Sequence, residues 1–140
     1  MFYTIIYKSK AKEDFASSRI HEMLLKAKIN NKKYGVSGCI VFSDNQFVQI
    51  IEGDKSKITQ LYRNIKLDNR HTNVMTLVET ATSHTLWDDW SMAFYNFTGN
   101  PKEDQHNRVL LESYFESASN DLKSTETFLV LRKAIQSILN

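Results

Sequence analysis

The chain has a single cysteine, a single proline and only four glycines in 140 residues. Cys39 alone cannot close an internal disulfide, and its place between Gly38 and Ile40 suits a small buried hydrophobe better than a nucleophile. So few helix and strand breakers, with no internal repeat or low-complexity linker, predict compact structure nearly throughout. Long apolar runs are missing as well. "CIVF" and "FLVL" fall far short of the ~18 residues that span a bilayer, and "MFYTIIYKSKAK" lacks the layout of a signal peptide. A soluble, cytoplasmic protein is therefore expected, with no membrane partner. Charge of one sign is also scarce: 18 Lys and Arg against 16 Asp and Glu leave a formal +2. That is too little for a nucleic-acid footprint unless the basic residues cluster. The two basic stretches, "KSKAK" at 8–12 and "KAKINNKK" at 26–33, read more simply as solvated helix ends or loops than as a phosphate-contacting rim.

The usual signatures of catalysis are absent. "GVSG" lacks the later glycines and the Lys-Ser/Thr ending of phosphate-binding loops. His21, His71, His84 and His106 do not stand at metal-ligand spacing from one another or from Cys39, so no metal is expected. Glu13–Asp14 and Asp88–Asp89 read as solvated loop charge, because general acid work needs a buried, perturbed carboxyl group. No nucleophilic triad can be argued from isolated Ser and His residues. The protein is not expected to be an enzyme.

What is present is a regular alternation of elements. "FYTIIYKS" reads as a strand on its β-branched and aromatic content. Ile20, Met23, Leu24 and Ala27 then recur at helical spacing, with Ser17 or Ser18 as N-cap. "YGVSGCIVF" and "FVQIIEG" flank "SDNQ", where Asp44 and Asn45 offer hairpin chemistry. Gly53 is expected to allow the turn into a second helix, capped by Asp54 or Ser56, with Ile58, Leu61, Tyr62 and Ile65 on its apolar stripe. "NVMTLVET" and "WSMAFYNF" supply two further strands. The order predicts an α+β, ferredoxin-like βαββαββ fold: a five-stranded mixed sheet with both helices on one face. Asn100–Pro101 opens a third helix carrying Leu111, Tyr114, Phe115 and Ala118. A fourth opens near Ser124 or Thr125 and carries Phe128, Leu131, Ile135 and Ile138. These two are expected to cover the other face of the sheet or a neighbouring subunit.

Within "FVQIIEGD" (47–54), Phe47, Gln49 and Ile51 share one face and Val48, Ile50 and Glu52 the other. Burying the Gln49 amide without partners would cost about 1 to 3 kcal/mol, so something must satisfy it. Other polar groups fall on elements that should be buried: Tyr7 and Ser9 on strand one, Asn30 and Asn31 at the end of helix one, and Asp68, Arg70 and His71 after helix two. Singly, Tyr7 reads as an amphipathic core residue, Asn31 as a C-cap partner and Asp68 as a cap or turn. Together they can edge one cavity between the two helices.

"YKS", "NNKKYGVSG", "FVQIIEG", "LDNRH" and "WSM", in this order over residues 1 to about 97, resemble the BLUF domain, a blue-light sensor that uses flavin. The resemblance divides the chain into a photosensor domain (1–97) and a C-terminal helical extension (98–140) like that of short family members. It implies FAD, sometimes replaced by FMN or riboflavin, bound between the two helices with its ring over the sheet. Tyr7 is then the electron and proton donor, and Gln49 bridges its hydroxyl to the flavin. Asn31 bonds the polar edge of the ring, with Asn30, Asp68, Arg70 and His71 completing the pocket, and Ser9 matches a residue that bonds with the tryptophan or with the pocket. Trp90 and Met92 match the pair implicated in passing the signal outward. No attached output domain is expected, so the signal is expected to reach a protein partner or the oligomeric state, with a homo-oligomer expected. One departure stands out: some members carry a basic residue just before the isoleucine of helix two, where this chain has Asn64, and Arg63 is displaced by about 100 degrees. The competing expectation is a non-photoactive ferredoxin-like module that binds a small ligand or nucleic acid. It is weakened because "FVQIIEG" lacks the Arg/Lys-Gly-aromatic pattern of RNA-reading strands.

Overall fold

The computed structural model describes residues 1–12, 17–87 and 92–139, with the side chains of 17–19, 21 and 24 left aside. The Ser17 or Ser18 cap, the Glu13–Asp14 and Asp88–Asp89 pairs, and Trp90 lie outside what is described. Five strands and four helices follow in the order β1 (Phe2–Ala11), α1 (Ser17–Lys33), β2 (Ser37–Ser43), β3 (Gln46–Asp54), α2 (Lys55–Leu67), β4 (His71–Thr82), β5 (Met92–Asn96), α3 (Pro101–Glu116) and α4 (Glu126–Leu139). The sheet order is β4-β1-β3-β2-β5. All neighbours are antiparallel except β2 and β5, so the sheet is mixed, as expected. β1 and β3 occupy the centre, and residues on them are the most deeply enclosed.

Local chemistry explains the boundaries. Asp44 and Asn45 take φ of 50° and 60°, the left-handed pair that closes a two-residue hairpin between Ser43 and Gln46. Asn100 caps α3 by accepting from the Lys102 and Glu103 backbone N–H groups at 3.1 Å each, with Pro101 as the first helical residue. Thr125 Oγ1 accepts from Phe128 N at 3.4 Å and starts α4 in the same way. Gly53 differs from expectation. It lies within β3 rather than in a turn, and a Cβ there would stand 2.8 Å from the Gly35 carbonyl oxygen, so the residue is needed for close approach of two backbones. Asp54 precedes α2 without a side-chain cap bond, and its carboxylate instead accepts from Ser56 Oγ at 2.6 Å.

The alternation along the strands sorts the core into two layers. Ile5, Tyr7, Ile40, Phe47 and Ile51 face α1 and α2, where they meet Ile20, Ile58 and Tyr62. Ile6, Cys39, Val41, Val48 and Ile50 face α3 and α4, where they meet Leu111, Phe115, Phe128, Leu131, Ile135 and Ile138. Each layer buries about 1.5 to 3 kcal/mol per large apolar side chain, so both faces of the inner strands β1, β3 and β2 are covered, while β4 at the edge stays largely exposed. Among the described residues no helix is long and apolar enough to cross a membrane.

Candidate functional site

Tyr7 on β1 and Gln49 on β3 are directly paired across the antiparallel ladder, and both point toward α1 and α2. The phenol donates to Gln49 Oε1, and Gln49 Nε2 donates to Met92 Sδ at 3.6 Å on the first residue of β5. This chain satisfies the buried amide that the sequence made conspicuous. Burial pushes the Tyr7 phenol well above its usual range, with smaller contributions from Tyr62 and Asp68, so it stays protonated and acts as the donor.

Beside this pair, β4 departs from regular pairing with β1 at two places, between Ile6 and Tyr7 and between Lys8 and Lys10, and Asn73 takes φ of 56°. Such bulges re-aim side chains at a sheet edge. Here Thr76 meets the Tyr62 hydroxyl, and the Tyr62 ring lies 5.6 Å from that of Tyr7. His71 Nε2 lies 2.6 Å from the Ile65 carbonyl at the end of α2, which can only accept. The proton of a neutral ring therefore sits on Nε2, and Nδ1 accepts from Ser9 Oγ at 2.8 Å. Asp68 follows α2 and holds Arg70 through both side chain and backbone, and the guanidinium keeps its carboxyl below the usual carboxylate range.

Between α1, α2 and the sheet lies a cavity of about 410 Å³, within the range of cofactor sites. Its floor is Tyr7, Ile40, Phe47 and Gln49. One wall is Met23, Lys26, Ala27, Asn30 and Asn31 of α1, and the other is Leu61, Asn64, Ile65, Asp68, Arg70 and His71. Asn31 is only 5% exposed, yet none of the hydrogen bonds among the described residues engages its side-chain amide. A planar ring with an apolar end and a polar, hydrogen-bonding edge fits this donor set: aliphatic walls for one end, amides of Asn31 and Gln49 for the other.

All the expected pocket residues except Ser9 line the cavity. Ser9 stands behind His71 and fixes that ring. Asn64 is on the wall, whereas Arg63 turns away and donates to Gln60 Oε1 at 3.5 Å, so it does not replace the basic residue seen in some relatives. Met23, Ala27, Leu61 and Ile65 had the periodicity of plain core, and Lys26 carried no signal of its own. The clue was their helical phase: Met23, Ala27 and Asn31 repeat every four residues, as do Lys26 and Asn30.

The fold is a ferredoxin-like module with a phenol and a buried amide on the floor of a cavity between its two helices. The family described as sensors of blue light using FAD, BLUF, matches residues 2–93, and the chain belongs to it. The blue light- and temperature-regulated antirepressor BluF of Escherichia coli is 33% identical over 78 residues, covering 56% of this chain and 19% of that protein. The photoactivated adenylate cyclase subunit beta of Euglena gracilis is 32% identical over 85 residues, 61% of this chain and 10% of that one. The chain thus spans a fifth or less of these curated relatives. In structure, Klebsiella pneumoniae BlrP1, in a calcium and cyclic-diGMP complex, superposes with a TM-score of 0.79 at 21% identity, over 97% of this chain and 34% of that one. The chain is a blue-light sensor of the flavin-binding type. The non-photoactive ligand- or nucleic-acid-binding alternative is not favoured, since helices pack on both faces of the central strands and, among the described residues, the exposed strand β4 carries no Phe, Tyr or Trp.

Proposed function

We propose that the protein is a light-switched signalling element that binds FAD in the cavity and passes the state of that site on by contact, without enzymatic activity of its own. Residues 1–97 act as the photosensor unit and 98–140 as the helical extension. When bound, the flavin supplies blue-light absorption and an excited ring that takes an electron. Tyr7 is the group on this chain that gives it up, because its phenol lies on the cavity floor with its proton already directed to Gln49 Oε1. The two ends of the Gln49 amide differ chemically, so reorienting or tautomerising it exchanges an acceptor for a donor without disturbing the fold. Either change alters what Met92 receives at the start of β5, and Trp90 and Met92 are the proposed first steps of transmission. Asn30, Asn31, Asp68, Arg70 and His71 hold the ring and its mouth, and Ser9 sets the His71 tautomer. Lys26 and Arg70 on the cavity wall suit a phosphorylated flavin, and FAD is the flavin that the family's description names.

Output through a second copy of the chain or a partner protein in the cytoplasm is supported by apolar side chains left exposed on α1 (Leu25, Ile29) and α3 (Val109, Leu110). The observation that carries the proposal is the bonded Tyr7–Gln49 pair on the cavity floor. Absorption spectra of the purified, flavin-loaded protein before and after blue light test it. A small red shift that reverts in the dark is expected; a colourless or light-inert protein overturns it.

A further inference from the structure

β3 carries a second buried polar side chain, on the opposite face from Gln49. Glu52 is 1% exposed and faces the α3 and α4 layer. Its carboxyl accepts from Thr4 Oγ1 at 3.0 Å on β1 and from the Leu86 backbone N–H at 3.0 and 3.2 Å, in the chain between β4 and β5. Among the described residues no cation pairs with it. A carboxyl group is an expensive choice for a sheet interior if its only purpose is to fill space.

The segment it grips is the one that ties the sheet to the C-terminal helices. The Leu86 carbonyl accepts from Ser119 N at 2.7 Å, just past α3. Next to it, the Trp87 indole stacks on Tyr114 of α3, with ring centroids 4.3 Å apart and planes within 15°. Trp87 Nε1 donates to the Tyr114 carbonyl at 3.0 Å, and the Tyr114 hydroxyl donates to the Gly38 carbonyl at 2.7 Å. Met92, the acceptor of the Gln49 amide, follows Trp87 by five residues. One strand therefore contacts Met92 through Gln49 and Leu86 through Glu52.

We propose that Glu52 is a positioning residue for the light response: it fastens residues 85–87 to the sheet, so that a change at Gln49 and Met92 reaches α3 through the Trp87–Tyr114 stack. The inference rests on the photosensor reading above. Without the Glu52 anchor, residues 85–87 lose their tie to β3 and a change at Gln49 leaves α3 unmoved. The anchor also has two strengths. Burial pushes the carboxyl up to about 7 against the lowering effect of its Thr4 and Leu86 bonds. The ionised form accepts the Leu86 N–H as a charge-assisted bond, stronger than the bond to the neutral acid. The buried Cys39 thiol on β2 is close enough to feel its charge, and titratable groups on the surrounding elements include Tyr114 on α3, the exposed Glu79 on β4 and His84 ahead of Leu86.

The test uses the full chain loaded with FAD and keeps Trp90, with Trp87 emission obtained as the difference between each protein and its Trp87→Phe counterpart. The light-induced red shift reports the cavity, Trp87 emission reports the stack on α3, and both are followed from about pH 5.5 to about 8.5. Glu52→Gln keeps an acceptor for Leu86 N–H but cannot ionise; Glu52→Ala removes the acceptor. The expected result is a light-induced change in Trp87 emission whose amplitude grows about twofold or more through pH 7, becomes pH-independent in Glu52→Gln, and is lost in Glu52→Ala while the red shift persists. An emission change that survives in Glu52→Ala, or a pH profile of Glu52→Gln superimposable on that of the parent, overturns the inference. Absence of the red shift in the parent protein would instead sink the photosensor reading.

Discussion

Tyr7 and Gln49 face each other across the β1–β3 ladder, with the phenol donating to the amide oxygen on the floor of the cavity. Replacing Tyr7 by Phe keeps the ring and the apolar contacts but removes the donor and the oxidisable group. Flavin should still bind, and the light-induced red shift should disappear. The dark protein should lose about 1 kcal/mol of stability for the missing bond, measurable by urea titration. A photocycle unchanged in Tyr7→Phe would reject the donor role.

Asn31 offers a buried amide to the cavity, so its removal should act on affinity rather than on fold. Losing one or two bonds of about 0.5 to 1.5 kcal/mol each corresponds to roughly tenfold weaker flavin binding in Asn31→Ala. Fluorescence-quenching titration of the apoprotein with FAD measures this. An unchanged Kd would remove Asn31 from the ring-binding set.

The sequence made the floor of this site readable because strand periodicity is strict: once Phe47, Val48, Ile50 and Ile51 define a strand, the direction of Gln49 follows, and with it the need for a partner. The hairpin and the start of α3 were equally open, since Asp44–Asn45 and Asn100–Pro101 act through their own local conformations. Glu52 was placed on the correct face, but its function was hidden. Its main partner is a backbone N–H 34 residues away, a group that every residue but proline carries and that leaves no mark in a sequence. Trp87 was overlooked beside Trp90, because its meaning depends on where Tyr114 docks across the sheet. Gly53 was misread for a related reason: its neighbour is the Gly35 carbonyl, brought close only by the finished fold.

The helical extension covers a sheet face that includes Ile6, Val41, Val48 and Ile50, each fully buried. At about 1.5 to 3 kcal/mol per exposed side chain, removing α3 and α4 forfeits on the order of the whole stability of a typical domain. Residues 1–97 expressed alone should therefore aggregate or unfold. Size-exclusion chromatography and circular dichroism check this, and a well-folded monomeric fragment would show that the two parts are energetically separable.

Gly38 tests the packing of β2 on β3. It takes φ of 136°, and a Cβ there would fall 2.0 Å from the Ile50 carbonyl oxygen, so the strands must part to admit it. Gly35, at φ of 69°, has nothing within 4 Å of the same position. Gly35→Ala should cost about 1 kcal/mol, from backbone strain alone, and Gly38→Ala about 3 kcal/mol or more. Comparable losses for the two, measured by denaturant unfolding, would contradict the close approach at Gly38.

Stability should also fall with rising pH across neutrality, against the usual trend for carboxylates. Asp68, lowered by the Arg70 bonds, behaves in the ordinary way: its contribution is present above its unfolded value of about 3.9 and is lost as the solution becomes more acid. It is too exposed for that contribution to be large. Glu52 has the opposite sign. In the folded protein its carboxyl titrates at about 7, whereas unfolded it titrates near 4.3, so between these values the folded state binds the extra proton. The stability associated with the neutral acid is complete below about pH 4 and is lost as pH rises through about 7. At roughly 1.4 kcal/mol per pH unit between about 4.3 and about 7 the loss is on the order of 4 kcal/mol, with the bond of the carboxylate to Leu86 N–H already included. Dark-state urea midpoints measured from about pH 5 to about pH 8.5 should therefore decline in the native chain and stay nearly level in Glu52→Gln. Parallel curves for the two proteins would mean that Glu52 is already ionised at pH 5, with a partner for its charge that offsets the cost of burial.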